Sequence, residues 1–214
     1  MMDWAHPEGR IIYSNPEFDF VQIGNEQSIG STDIFVVLQS LIPPGKKIHR
    51  ISVEEFLLWT DGNFNFIITI EHPEYRKTAI DHLEKNSWSA ISVIMPYAIV
   101  WPTVKIGQGV VVWGFCGILS NAVIGDYCII GGYSGIAHNS TLGANCRLQT
   151  NSQILGSCNI GNDCLIGSRS TVSPEVTLPA HSTLIAYSAL TKSPDTPGVF
   201  GGTPARRISN IDVE

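Results

Sequence analysis

The sequence predicts a parallel β-helix over its C-terminal half, preceded by a small α/β domain. Two columns of residues and one short pattern carry that prediction. Every sixth residue from Val100 through Ile106, Val112 and Ile118 to Leu190 is Ile, Leu or Val, with no slip over sixteen positions. Two residues earlier, from Ala98, Val104, Val110 and Cys116 to Ser188, every position is Ala, Ser, Cys or Val. Ahead of the repeat, a strand-like run, a helical pattern and a second strand-like run follow one another between Asn65 and Ile94.

Strand side chains alternate between faces, so a residue and its neighbour two positions back point the same way. One hexad is then a short strand plus a turn. Three strands close a triangular coil of about eighteen residues, with the large aliphatic side chain filling the interior and the small one fitting a tight corner. Glycine follows the aliphatic residue at Gly107, Gly125, Gly131, Gly143, Gly161 and Gly167. Either a positive φ or close backbone approach suits glycine there. Ala98 to Leu190 makes about five coils, roughly 24 Å tall at a strand spacing of about 4.8 Å. A sustained period of six matches neither the 3.6 of a helix nor plain alternation.

All five cysteines (Cys116, Cys128, Cys146, Cys158 and Cys164) fall in the small-residue column. Chance would do this about once in a thousand sequences, so the repeat explains them as buried apolar filler, with no disulfide or metal. Their spacings fit no CxxC pair.

In the N-terminal part, Asn65–Ile70 reads as a buried strand and Ala90–Ile94 as a second. Between them Pro73 suits a first helical position, and Tyr75, Ala79, Ile80 and Leu83 share one helical face. The result is a β-α-β unit, read as parallel. Ser52 and Glu55 form a capping box for a short helix over residues 52–59. The junction is placed near Met95–Pro96, giving an α/β domain at 1–95, expected to lie on the acceptor side, and the β-helix with its tail at 96–214.

Composition narrows the partners. Of the residues, 43% are hydrophobic and 15% charged, and the net charge is −6. No Lys/Arg run exceeds two residues. Nucleic acid and anionic membranes are disfavoured, because phosphate recognition needs clustered basic residues. The first ten residues lack the basic and apolar regions of a signal peptide, and no apolar stretch is long enough to insert in a membrane. The chain is therefore expected in the cytoplasm.

Four segments carry a resemblance. They are MPYAIVWPTVKIG (Met95–Gly107), GIAHNSTLG (Gly135–Gly143), GSCNIGNDCLIGSRSTV (Gly156–Val172) and GVFGGTPARRI (Gly198–Ile208). From about Phe64 to Ile208 the chain resembles the sialic-acid and nucleotide-sugar acetyltransferase family. That resemblance implies a left-handed β-helix, a homotrimer with active sites between neighbouring prisms, acetyl-CoA as co-substrate, no metal, and a sugar or nucleotide-sugar acceptor in glycan biosynthesis. It carries the catalytic histidine onto His138. It also implies that the Gly156 backbone N–H faces the thioester carbonyl, and that Arg147, Ser168 and Arg169 line the CoA groove. The tail places Gly202, Pro204, Arg206 and Arg207 at the far end of CoA. The chain differs from the family pattern in three places. It has no GxxGxG-like loop near its start, where only Gly9 stands. Asn139 occupies the place of an acidic residue after the histidine. Arg147 replaces a second histidine.

Acyl transfer from a thioester needs the attacking amine or hydroxyl deprotonated, and an imidazole suits that task near neutral pH. His138 lies two residues past the interior Ile136, on a turn. Asn139 can orient the imidazole by hydrogen bonding but cannot stabilise an imidazolium by charge. Two other readings compete. A zinc-dependent carbonic anhydrase on the same prism needs three histidine ligands, and only His138 and His181 lie in the repeat. A catalytically degenerate member with a structural or binding role would tolerate the altered neighbours of His138. Exposed Trp101, Trp113 and Phe115 point to faces covered by other subunits.

Overall fold

The protein is described by a computed structural model covering residues 9–12, 17–24, 38, 40–70 and 72–209. The expected absence of a signal peptide rests on the first ten residues, of which 1–8 lie outside the described residues, as does Glu71 ahead of the helix.

In the N-terminal part, β1 (Arg10–Ile12), β2 (Asp19–Ile23), β3 (Ile48–Ile51), α1 (Val53–Leu57), β4 (Phe64–Ile68), α2 (Pro73–Lys85) and β5 (Ser92–Ile94) follow in order. β3, β2 and β4 form a parallel sheet with β2 in the centre. α1 opens on the capping box read from the sequence, with Ser52 Oγ accepting from Glu55 N–H and the Glu55 carboxylate accepting from Ser52 N–H. α2 starts at Pro73 and buries Ala79, Ile80 and Leu83. Tyr75, expected on the same face, is 46% exposed. α2 also buries Arg76 instead, which is 1% exposed and donates from Nε to Asn145 of the β-helix at 2.9 Å.

The second strand of the β-α-β unit runs parallel to β4 as read, but only through the Phe66–Ala90 bridge. Its main partners are elsewhere: β5 pairs antiparallel with β1 and parallel with Val111–Val112 of the β-helix. The repeat accordingly begins one hexad earlier than Val100, because Ser92 and Ile94 already occupy the small and aliphatic columns.

The β-helix has three faces of two-residue strands. The first runs from β5 through Val111–Val112, Ile129–Ile130, Arg147–Leu148, Leu165–Ile166 and Thr183–Leu184 to Val199–Gly202. The second runs from Ile99–Val100 to Ala189–Leu190, and the third from Lys105–Ile106 to Thr177–Leu178. Each strand pairs in parallel with the one eighteen residues on, as Ile136 does with Ile154, except at the end of the first face, where Thr183–Leu184 meets Val199–Phe200 sixteen residues on. The aliphatic column forms one continuous core, in which Ile118, Ile130, Ile136, Ile166, Val172 and Leu184 are fully buried. A second cluster, with Phe20, Ile67, Val93 and Val111, joins the first face to the α/β layer. Trp113 is half-buried between these two clusters, and Trp101 is also half-buried, so of the three aromatics read as exposed only Phe115 is.

The small column does more than fill corners. Ser134 Oγ donates to the Gln149 carbonyl at 2.9 Å, Ser140 Oγ to Leu155 at 2.8 Å and Ser170 Oγ to Ile185 at 2.7 Å. The thiols do the same: Cys128, Cys146 and Cys158 reach the carbonyls of Gly143, Gly161 and Ser173 at 3.0 Å each. Each side chain caps a carbonyl at the corner of the following coil, which explains Ser and Cys where Ala would fill the space. All five thiols are free and buried, and burial pushes Cys116 up to about 11. Ser140 also accepts from Cys158 N–H at 3.1 Å. Ser140→Ala leaves both backbone groups without that partner and is expected to cost about 1–3 kcal/mol, read as a lower urea midpoint.

The turns show where left-handed backbone is needed. It falls on the second turn residue of most coils, with φ near +60° at Tyr97, Phe115, Asn121, Tyr133, Asn139, Asn145 and others. The hexad glycines owe their place to close approach instead: a Cβ on Gly125 would lie 2.6 Å from Ala144 N. Tyr97, Phe115 and Tyr133 stack on one edge at centroid distances of 5.2 and 5.0 Å, nearly parallel.

Candidate active site

The three edges of the prism are chemically different. The edge between the third and first faces carries Tyr127 and Asn145 and packs against the α/β layer. The edge between the first and second faces carries the aromatic stack, followed by Asn151, Arg169 and Tyr187. The edge between the second and third faces carries Asn121, then His138 and Asn139, then Gly156 and Ser157, one coil apart each time.

His138 is exposed at the first turn position after Ile136. Asn139 Nδ2 lies 3.2 Å from His138 Nδ1. Asn139 Oδ1 in turn accepts from Asn121 Nδ2 at 3.1 Å. Gly156 stands directly over the imidazole, where a Cβ would come within 2.8 Å of Cε1 and 2.9 Å of Nε2. Ser157 N–H donates to the His138 carbonyl at 2.9 Å, fixing the two turns against each other. Any side chain at 156 must therefore displace the ring. Gly156→Ala is expected to lower activity by about tenfold or more through misplacement of the imidazole, because errors of about an ångström carry such penalties. Unfolding midpoints measured alongside should move little, since the clash is with an exposed side chain.

The residues assigned to CoA lie on other parts of the surface. Arg147 projects half-buried from the first face and, with Trp113, Tyr133, Gln149 and Ser168, lines a cleft of about 520 Å³. Ser168 is held there by Gln149 Oε1, which accepts from its N–H at 3.1 Å. Arg169 is exposed on the aromatic edge, with Cζ 5.7 Å from the Tyr187 ring centroid. One chain thus brings Arg147 and Ser168 together, and His138, Asn139 and Gly156 together, but on different edges.

The tail forms an antiparallel hairpin of Val199–Gly202 and Ala205–Ser209 that extends the first face. Gly202, with φ +92°, and Pro204 make its turn. Arg206 is exposed, with Nη1 donating to the Ala205 carbonyl at 3.0 Å. Arg207 is committed to its own loop: it donates to the Pro197 carbonyl at 2.6 Å and to both oxygens of Thr196 at 2.7 Å, and it covers the Phe200 ring.

Sequence reasoning missed Asn121. The signal was present, since Asn121 stands one eighteen-residue coil before Asn139. It also missed the aromatic stack, which the same interval from Phe115 back to Tyr97 and on to Tyr133 would have shown. Among the described residues, no three His, Cys, Asp or Glu side chains gather as a metal site requires, and no helix is long and apolar enough to cross a membrane.

Comparison with known proteins agrees with this architecture. The bacterial transferase hexapeptide family matches residues 103–138, 121–156 and 139–174. No curated protein matches by sequence. Among solved structures, the acetyltransferase domain of PglB from Neisseria gonorrhoeae superposes with a TM-score of 0.76 at 16% identity, covering 88% of this chain and 98% of that one. PerB from Caulobacter crescentus, in complex with CoA and GDP-perosamine, gives 0.75 at 23% identity over 88% and 96% of the two chains. WeeI from Acinetobacter baumannii gives 0.74 at 18% over 88% and 99%. Residues 103–174 thus match the hexapeptide-repeat family model, and the chain shares the α/β-plus-β-helix fold of these proteins.

Proposed function

We propose that the protein transfers an acetyl group from acetyl-CoA to an amine or hydroxyl of a sugar, free or nucleotide-linked, in cytoplasmic glycan biosynthesis. The observation that carries this reading is the exposed His138 imidazole, seated on Gly156 and hydrogen-bonded through Nδ1 to Asn139. The CoA-bound and GDP-perosamine-bound forms of proteins with this architecture support it.

In the reaction, the acceptor nitrogen or oxygen forms a bond to the thioester carbonyl carbon while His138 takes its proton. The tetrahedral oxyanion is stabilised by the Gly156 N–H. Collapse breaks the carbon–sulfur bond, and the CoA sulfur leaves with the proton that His138 returns. No covalent enzyme intermediate is formed. Arg147, Ser168, Arg169, Gly202, Pro204 and Arg206 hold CoA, while Arg207, read from the sequence as a further CoA ligand, is spent on fixing the tail to Thr196 and Pro197. The separation of these residues from His138 in one chain fits a homotrimer, in which the His138 edge of one subunit faces the CoA-binding surface of the next. Sedimentation giving a monomer under assay conditions would contradict that assembly.

Asn139 supplies an amide where a carboxylate would stabilise the imidazolium. Asn139→Asp places a negative charge beside Nδ1, favouring the protonated ring. The acid limb of its rate–pH profile is expected at higher pH than in wild type; an unchanged profile sinks the assignment. The amide also favours a second reading, a degenerate member that binds but does not react. Calorimetric titration with acetyl-CoA, followed by a thiol-release assay over free and nucleotide-linked amino sugars, separates the two. Binding with turnover supports the transferase, binding without turnover the degenerate member, and no binding removes the CoA reading.

A further inference from the structure

We infer that the cleft between α2 and the β-helix binds an oxyanion, a phosphate or carboxylate carried by the acceptor, with the Arg76 guanidinium as its anchor. That the oxyanion belongs to the acceptor rests on the reading of the protein as a sugar acyltransferase; the site itself does not.

Arg76 is a cation placed where charge is costly. It is almost fully buried, and burial pushes it down to about 10, helped by the like charge of Arg147, so it stays charged at neutral pH. Nε donates to Asn145 Oδ1 at 2.9 Å and Nη1 to the Ile70 carbonyl at 3.3 Å. Both partners are neutral. Nη2 is buried without any partner. A buried guanidinium is ordinarily matched by a carboxylate or phosphate, whose oxygens fit its fork, and an unmatched one is destabilising.

Beside Arg76 lies a cleft of about 410 Å³. Its two carboxylates do not supply the match. Asp163, one coil beyond Asn145, accepts from Asn145 Nδ2 at 2.8 Å and stands 3.6 Å from His181 Nδ1. That ladder has one sense only: Arg76 Nε must donate and the Asp163 carboxylate must accept, so the Asn145 amide cannot be reversed. Glu74 is exposed in the first turn of α2, where the helix dipole favours a carboxylate. Of the cleft's other cations, Lys77 pairs with Asp81 at 2.7 Å.

Arg147 stands in the wall of this cleft and also of the 520 Å³ cleft assigned to CoA. A ligand seated on Arg76 is therefore next to the donor's cleft, as an acceptor must be. Nη2 is shielded from water in the resting cleft. The oxyanion reaches it as the exposed side chains of Glu74 and Lys77 swing outward.

The test is titration calorimetry of the full chain with inorganic phosphate, a hexuronate and a neutral hexose, each with and without saturating CoA. Phosphate or the hexuronate is expected to bind with CoA present, and the neutral hexose to bind neither way. Arg76→Lys keeps the charge and loses the fork, and is expected to weaken oxyanion binding by about tenfold or more with CoA affinity unchanged. Should that variant fail to fold, Leu165→Glu serves. Leu165 is half-buried on the first face and lines the cleft, so a carboxylate there supplies the missing partner without touching α2, and oxyanion binding is expected to be lost. A response to phosphate alone assigns a phosphorylated or nucleotide-linked acceptor, and a response to the hexuronate alone an acidic sugar. No oxyanion binding in wild type, or wild-type binding in folded Arg76→Lys or Leu165→Glu, overturns the inference. Oxyanion binding that depends on Arg76 in a protein that never binds acetyl-CoA would sink the transferase reading and leave the site standing.

Discussion

His138→Ala is expected to slow acyl transfer by about two to four orders of magnitude while leaving acetyl-CoA affinity unchanged. That range corresponds to about 3–5 kcal/mol of transition-state stabilisation. The structure isolates the effect. His138 is exposed, so truncation removes no core contact. The bond from Ser157 N–H to the His138 carbonyl belongs to the backbone and survives the substitution. The groups assigned to CoA stand on other edges of the same chain, with Arg147 and Ser168 around their own cleft. A loss in kcat with calorimetric affinity retained is therefore the signature of a missing base. If the variant instead loses acetyl-CoA binding and keeps its turnover at saturation, the imidazole is a binding group and another base must be sought. If neither changes, the reaction does not pass through this edge.

The β-helix was legible because its period is enforced at every coil by the same two physical demands. One aliphatic side chain must fill the axis, and one small side chain must fit the corner. The column from Val100 to Leu190 and the buried Ser and Cys column both follow from that. The polar half of the second demand was not legible. Reading Cys128 or Ser140 as filler misses that each caps a carbonyl fifteen residues later, a distance that means nothing until the coil is closed. The fate of β5 was hidden for a related reason. Its apolar run reads equally as the last strand of an α/β unit or the first rung of a solenoid, and it serves both through its bonds to β1 and to Val111–Val112. At the candidate site, His138, Asn139 and Gly156 could be singled out from the sequence through the family resemblance. Their mutual contacts could not, because they depend on the vertical register between coils. Asn121 shows the gap most clearly, since an exposed turn asparagine looks ordinary until it stands over another.

The same register makes one substitution act in opposite directions at two glycines. A Cβ at Gly125 would lie 2.6 Å from Ala144 N, 2.7 Å from Gly143 C and 3.0 Å from Ala144 Cα. These are backbone atoms of the next coil, and they cannot rotate aside. The coils are clamped on both sides of the clash, by Gly125 N–H to the Leu142 carbonyl at 2.8 Å and Asn145 N–H to the Asp126 carbonyl at 2.8 Å. Relief means stretching that ladder. Gly125→Ala is expected to destabilise by about 3 kcal/mol or more, combining overpacking with weakened hydrogen bonds. At Gly117, on the outward side of the second face, a Cβ meets nothing within 4 Å. Gly117→Ala is expected to be neutral or to stabilise by up to about 1 kcal/mol, because the unfolded chain loses freedom. Urea unfolding of both variants gives the comparison directly. Because coils in a solenoid are stabilised by their neighbours, a weakened coil junction also opens a route to partial unfolding, seen as a shallower transition. Equal midpoints for the two variants would mean that glycine is placed after the aliphatic residue for its turn conformation, and that coil spacing does not exclude a side chain there.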